Sequence, residues 1–293
     1  MNAWRNIAHV ARYEGLMLAR TTRFRVLGAV GIGVPLVLGI LLAVLEAQGL
    51  AVNAGTALGA FVPFYVYSYA QTLLVALLVG DFRAADDRAH VAEVLNARPV
   101  ATLELVAGKY LGVIGALGAL SGIVLLVSVA VQAAKMSITG APFSLAPYGS
   151  YLLLMTLPAL LFMVALTFLL GAVLRQQAAV SLIAIAYTLA VVFFLGQRHG
   201  GLFDFGAFYA PLYYSDLVGL GDIQRVVEQR LFYGALALAC LAGAALLYPR
   251  LPHSRRARAI ARMLLGTGLV AAGALLLRTQ HGHLERIIGG DVT

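Results

Sequence analysis

The chain is short of charge. Asp, Glu, Lys and Arg make up 12% of its 293 residues and 61% are hydrophobic, whereas a soluble domain carries about a quarter charged. Water cannot be its only solvent, and the sequence reads as an integral membrane protein. A single cysteine, Cys240, excludes a disulfide framework. There is no G-x-x-x-x-G-K-[ST] phosphate loop, since Gly108-Lys109 is followed by Tyr110 and position 103 is leucine. The chain therefore does not hydrolyse ATP by that route. No Asp, Glu or His falls inside an expected span, which argues against proton coupling. All six histidines (His9, His90, His199, His253, His281 and His283) fall in loops or tails. Ser121 has no histidine in the membrane to activate it as a protease nucleophile. No basic patch alternates with aromatics, so nucleic acid is not an expected partner. No internal repeat of about 20–50 residues is present.

What the chain has in quantity is long uncharged runs: 26–45, 47–80, 110–134, 136–174, 176–197, 231–249 and 263–277. A span needs about 20 apolar residues, because hydrocarbon offers no partner to an unpaired backbone amide. The second run opens on a polar turn, placing its helix near 58–80. The fourth opens on a Gly/Pro/Ser loop, placing its helix near 151–174. Six spans follow directly. A seventh, short between Arg262 and Arg278, becomes long enough if both arginines snorkel. The expected fold is all-α and polytopic, with residues 1–25 as an amphipathic interfacial helix, 26–249 as a six-span domain, and 250–293 as a basic linker, seventh span and short exported tail. Pro35 and Pro158 fall within spans and are expected to bend them.

Lys and Arg collect on the cytoplasmic side. With the N-terminus inside, fifteen fall there (Arg5, Arg12, Arg20, Arg23, Arg25, Arg83, Arg88, Arg98, Lys109, Arg175, Arg250, Arg255, Arg256, Arg258, Arg262) and six outside (Lys135, Arg198, Arg225, Arg230, Arg278, Arg286). The net charge of +8 thus follows from topology. Arginine outnumbers lysine nineteen to two, a pointer to a GC-rich bacterial genome.

Residues 3–24 carry Trp4, Ile7, Ala8, Ala11, Gly15 and Leu18 on one stripe, with Arg5, His9, Arg12 and Arg23 opposite. This suits a helix in the headgroup plane of the membrane lipid, with little else to pack on. The outer loop 198–230 holds Phe203, Phe205, Phe208, Tyr209, Tyr213 and Tyr214, which suit an interfacial belt or a short re-entrant helix. Gly108, Gly112, Gly118 and Gly122 on the third span permit close helix approach, a dimer face being one use. His281-Gly282-His283-Leu284-Glu285 reads as a solvated tail, its extended form being the one that would offer zinc ligands from one side.

The most elaborate soluble feature is the ionic stretch between the second and third spans. Arg83, Asp86, Asp87, Arg88, Glu93 and Arg98 alternate with Val91, Val94 and Leu95, giving a short mixed-charge helix that Pro99 ends. Thr102 and Glu104 then open the next helix. A solvated connector would use the same residues. On the second span Tyr65, Tyr69, Gln71 and Thr72 form an amphipathic set that is a candidate pathway lining, or plain helix packing.

Glu93-Val-Leu-Asn-Ala-Arg98-Pro99-Val-Ala-Thr102, followed by Gly108-Lys109, resembles the pattern of bacterial type-2 ABC exporter permeases. There a Glu precedes two apolar residues, a Pro-Val-Ser-Arg-like turn and Gly-Lys. Glu93, Pro99, Gly108 and Lys109 match it; His90-Val91 replaces the usual Gly-Thr, and Ala101-Thr102 the Ser-Arg. The resemblance extends to the N-terminal helix, the six spans, an inner Leu174-Arg175-Gln176 turn and a long outer loop. It implies a permease in a bacterial inner membrane with a cytoplasmic N-terminus. It also implies a second permease, identical or not, and two copies of an ABC ATPase that bind ATP and Mg; no cofactor is expected in this chain. In such a machine Arg83, Asp86, Asp87, Arg88, Glu93, Arg98 and Pro99 form the coupling helix against the ATPase. Two other classes stand beside this one: a membrane anchor, mechanotransmission or assembly factor that moves no cargo, and a membrane-embedded lipid-modifying enzyme. A reporter fused at Thr293 is expected to read as exported; cytoplasmic activity there would reject a crossing seventh helix.

Overall fold

The computed structural model of the chain describes residues 3–48, 56–80, 101–139, 143–174, 176–207, 209, 214–215, 219–220, 223–248 and 255–289. The elements are α1 (Ala3–Arg20), α2 (Thr22–Ala47), α3 (Thr56–Val79), α4 (Thr102–Thr139), α5 (Ala146–Tyr151), α6 (Leu157–Leu174), α7 (Gln177–Ala190), α8 (Ile223–Leu247) and α9 (Arg255–Gly289). A two-residue antiparallel pair, Tyr214–Ser215 with Gly219–Leu220, is the one sheet among the described residues. Seven helical stretches are long and apolar enough to cross a bilayer. The chain is an all-α, multi-pass membrane protein.

Burial ranks the spans. In α3 and in the α5–α6 stretch 56% of the apolar window is buried, against 17% for α2 and for α9. The first two therefore form the centre and the last two the periphery. The core collects Phe64, Val75, Leu117, Tyr148, Met155, Met163 and Phe168. α8 packs between α6 and α9, and α2 lies on α3 and α4. Where α8 meets α9, a Cβ on Gly268 would fall 2.9 Å from the Ala235 carbonyl oxygen, so the two backbones all but touch.

Two spans carry π-turns. Leu152–Thr156 joins α5 to α6, the Leu157 N–H reaching the Leu152 carbonyl, and Pro158, which has no N–H to give, follows at once. Val191–Leu195 extends α7, closed by the Gly196 N–H on the Val191 carbonyl at 2.8 Å. The π-turn beside Pro158 is the local irregularity at the site where a bend was expected. Besides Pro35, Pro63 also lies inside a span helix, one the sequence reading passed over.

Several boundaries differ from expectation. α4 is one uninterrupted helix of 38 residues, roughly 57 Å at 1.5 Å per residue, well beyond the ~30 Å hydrocarbon core. α5 begins at Ala146, with a proline in its first turn where the missing N–H costs nothing. α9 continues through Gly289, so the stretch read as an unfolded tail is helical. His281-Gly282-His283 thus falls in a helical stretch and not in an extended segment. α8 begins at Ile223, not after Arg230, which lies within the helix and is 6% exposed.

Arg230 ties a cap over the end of α7 and α8. Its Nη1 and Nη2 donate to the carbonyls of Phe205 (2.6 Å) and Asp204 (3.0 Å). Tyr233 Oη donates to the Leu202 carbonyl at 2.6 Å, and Gln229 Nε2 to the Asp204 carbonyl at 3.1 Å. The fully buried Asp204 carboxylate accepts the Tyr209 N–H at 2.7 Å. Phe205 is interior, stacked on Tyr187 at 5.5 Å and against Phe162 at 5.8 Å, so it belongs to the core and not to an interfacial belt. Phe208 and Tyr213 lie outside the described residues. Replacing Arg230 by Met removes both donors from the buried Phe205 and Asp204 carbonyls. The variant is expected to lose about 3 kcal/mol of stability and to expose 198–209 to proteolysis, checked by unfolding in detergent and by mapping cleavage sites.

Candidate functional site

The coupling residues read from sequence, Arg83, Asp86, Asp87, Arg88, Glu93, Arg98 and Pro99, lie outside the described residues. The structure describes the two helices that this connector joins, and both are tied into the bundle next to it. At the end of α3, Ser181 Oγ on α7 donates to the Ala76 carbonyl at 2.7 Å. A Cβ on Gly80 would come within 2.9 Å of that same oxygen atom of Ser181, so α3 and α7 meet here without room for a side chain.

At the start of α4 the partner is α1. Asn6 Nδ2 donates to Glu104 Oε2 at 2.9 Å, and Lys109 Nζ pairs with Glu14 Oε1 at 2.9 Å. Between these polar contacts the backbones close up. A Cβ on Gly108 would lie 2.6 Å from the Cβ of Val10, and one on Gly112 2.6 Å from the Ala11 carbonyl oxygen. Only glycine fits at either position. Residues 6, 10 and 14 meet 104, 108 and 109, so α1 runs beside α4 in the same direction; α2 continues the track, with Gly28 beside Leu120 and Gly39 beside Val131. The N-terminal helix, expected to have little to pack on, is thus docked along its length. Gly108 and Gly112 serve that docking within the chain, whereas a Cβ on Gly118 or Gly122 would meet nothing within 4 Å. Lys109 is 4% exposed, a burial that a charge tolerates only when paired. Thus Gly108-Lys109, quoted above as part of a motif, has a physical task here: seating α1 on the base of α4.

The second-span set divides. Tyr65 and Tyr69 are half-buried, their hydroxyls hydrogen-bonded at 2.7 Å and their rings edge to face at 4.9 Å. Thr72 Oγ1 donates to the Tyr69 carbonyl at 2.8 Å. These three share a helical stripe. Gln71 lies more than 100° away on the Tyr67 side, and is 1% exposed with neither amide atom hydrogen-bonded. The four residues therefore do not line one surface. Around Gln71 the interior holds polar pairs that sequence reasoning missed: Tyr67 Oη with Ser121 Oγ at 3.0 Å, and Ser68 Oγ with Thr156 Oγ1 at 3.5 Å on the π-turn. Ser121 Oγ in turn donates to the Leu117 carbonyl at 3.0 Å. Small hydroxyls in spans carry no distinctive spacing; a signal was available only in that Tyr67 and Gln71 repeat at i, i+4.

Among the described residues no three His, Cys, Asp or Glu side chains gather where a metal ion could be held. The arrangement is one of ties between helices. It joins the two ends of an ionic connector to α1, α2 and α7. No protein-family model matches the chain, and no curated protein matches it. What fold and site define is a helical membrane protein with its polar contacts concentrated at helix seams.

The α1–α4 seam can be tested by a double-mutant cycle. Lys109→Met leaves Glu14 without its cation and is expected to cost about 3 kcal/mol; Glu14→Met, which takes a carboxylate away from the more buried ammonium, should cost a comparable amount. The double variant should return to within about 1 kcal/mol of the parent. Unfolding of the purified chain in detergent measures all three.

Proposed function

We propose that the chain is the permease subunit of an ATP-driven exporter, working with a second permease and with a separate ATPase that binds ATP and Mg. It would sit in a bacterial inner membrane with its N-terminus in the cytoplasm. The reading rests on the resemblance of 93–109 to type-2 ABC exporter permeases. The structural observation that carries it furthest is the pair of ties flanking the connector, Ser181 to Ala76 on one side and Lys109 to Glu14 on the other. A force applied to 83–98 has to go somewhere. α4 is a continuous rod from Thr102 to Thr139, and α1 is locked to its base, so displacement of the connector moves α1, α2 and α4 as a body. On the other flank the force reaches α7 through Ser181.

In this mechanism closure of the ATPase pair shifts the coupling helix, and the difference in its contacts between the two ATPase states supplies the free energy. Asp86, Asp87, Arg88 and Glu93 make the docking contacts, and Pro99 ends the lever. Tyr65 and Tyr69, half-buried and joined through their hydroxyls, are the candidate pathway-lining pair. A mechanotransmission subunit that moves no cargo would use the same ties.

Purification of the full chain from native membranes is expected to bring an ATPase with it. Reversing charge at Asp87 and Glu93 to Lys should reduce copurified and stimulated ATPase activity by about tenfold or more without lowering the chain's abundance. Undiminished activity in the variant would overturn the docking assignment; absence of any ATPase from the parent preparation would overturn the exporter reading. Cargo movement in proteoliposomes separates exporter from mechanotransmitter.

A further inference from the structure

Away from the connector, α2, α3 and α4 enclose a groove toward the opposite end of the bundle, lined by Leu36, Gly39 and Leu42 of α2 and by Val131, Gln132 and Lys135 of α4, with prolines from α2 and α3 at its floor. Its walls are mostly aliphatic, with Ser128, Gln132 and Lys135 as the polar side chains. The Gln132 side chain is 6% exposed, and its Nε2 has no hydrogen-bond acceptor. A buried donor left unpaired costs about 1–3 kcal/mol, so this amide calls for an acceptor brought in from outside the chain.

We propose that the groove binds one membrane phospholipid, with an acyl chain along Leu36, Gly39 and Leu42 and a glycerol-ester or phosphate oxygen accepting from Gln132 Nε2. Three observations choose this occupant. Most of the wall is aliphatic, which favours an acceptor carried on an apolar molecule. α2 is a peripheral span with most of its surface unburied, so the groove borders the space that lipid occupies. Finally, Lys135 lines the groove one helical turn beyond Gln132 and close to the end of α4 at Thr139. One turn is roughly 5 Å of rise, which sets the ammonium at phosphate height and the amide at ester height. Gly39 contributes by its lack of a side chain. A Cβ there would meet only Val131 Cγ1, at an ordinary 3.6 Å, so no close backbone approach demands glycine at this position and its absence of bulk leaves space.

The test uses the full chain purified in mild detergent, stripped of lipid and then mixed with vesicles of palmitoyl-oleoyl phosphatidylglycerol, with native mass spectrometry to count retained lipid and thermal unfolding as a second readout. The parent is expected to retain one phospholipid through washing and to unfold at a higher temperature with lipid than without. Gln132→Leu, which keeps the volume and removes the donor, and Gly39→Leu, which fills the groove, should each cut retention by about tenfold or more. Without lipid, Gln132→Leu is expected to unfold no earlier than the parent, since the unpaired amide is gone; this separates loss of the site from loss of the fold. No lipid on the parent, retention in either variant as high as in the parent, or an equal stabilisation of the parent by inorganic phosphate alone would overturn the proposal.

Discussion

Hydrocarbon offers a polar group nothing to bond with, and the architecture of this chain follows from where its polar side chains find partners instead. Backbone amides are satisfied within helices. The remaining polar groups settle into seams: Glu14 with Lys109 and Asn6 with Glu104 between α1 and α4, Ser181 with Ala76 between α7 and α3, and Arg230 with the Asp204 and Phe205 carbonyls beneath the cap. Each contact is short, partly or fully buried, and made across large separations in sequence. Breaking one leaves a polar group in apolar surroundings, so these seams resist sliding more than the aliphatic contacts around them do.

The glycines show the same division between fixed and open surfaces. At Gly108 and Gly112 a Cβ would collide with α1; at Gly118, Gly122 and Gly33 it would meet nothing within 4 Å. Sequence spacing alone presents these positions as equivalent small-x-x-x-small pairs. Their roles differ because one pair faces a neighbouring backbone and the other an unfilled surface. The π-turns lie in the α5–α6 stretch and in α7, while α4 is α-helical throughout. The bundle thus combines one long regular rod with two spans whose hydrogen-bond ladders change register along their length.

Hydropathy made the spans legible, since the requirement for about 20 apolar residues is independent of tertiary contacts. Its failures are specific. Treating each charge as a boundary ended the outer loop at Arg230, but α8 starts at Ile223 and carries Arg230 within it, where carbonyls about 25 residues away accept from its Nη1 and Nη2. No local pattern encodes such a partner. The docking of α1 was hidden for a related reason: Glu14 and Lys109 look like solvated charges until the glycine seam brings them together. The polar set on the second span was legible in composition but not in orientation, because Tyr65, Tyr69 and Thr72 share a stripe that Gln71 does not. Thr102 and Glu104 were placed correctly at the head of a helix, yet Glu104 also binds Asn6 of α1.

A helix longer than the bilayer is thick needs support where it leaves the hydrocarbon. α4 exceeds that thickness by about 27 Å if straight, and in its first turns it is flanked by α1 on one side and bordered near Thr102 and Leu103 by the end of α8 and the start of α9. The supporting contacts with α1 are ionic and backbone-close, the kind that hold geometry without needing a large apolar area. Docking α1 here also stiffens the base of α4, because a displacement entering at Thr102 would meet a two-helix stem rather than a single exposed helix. Stiffness at that point is what the proposed coupling of an outside segment to the bundle requires.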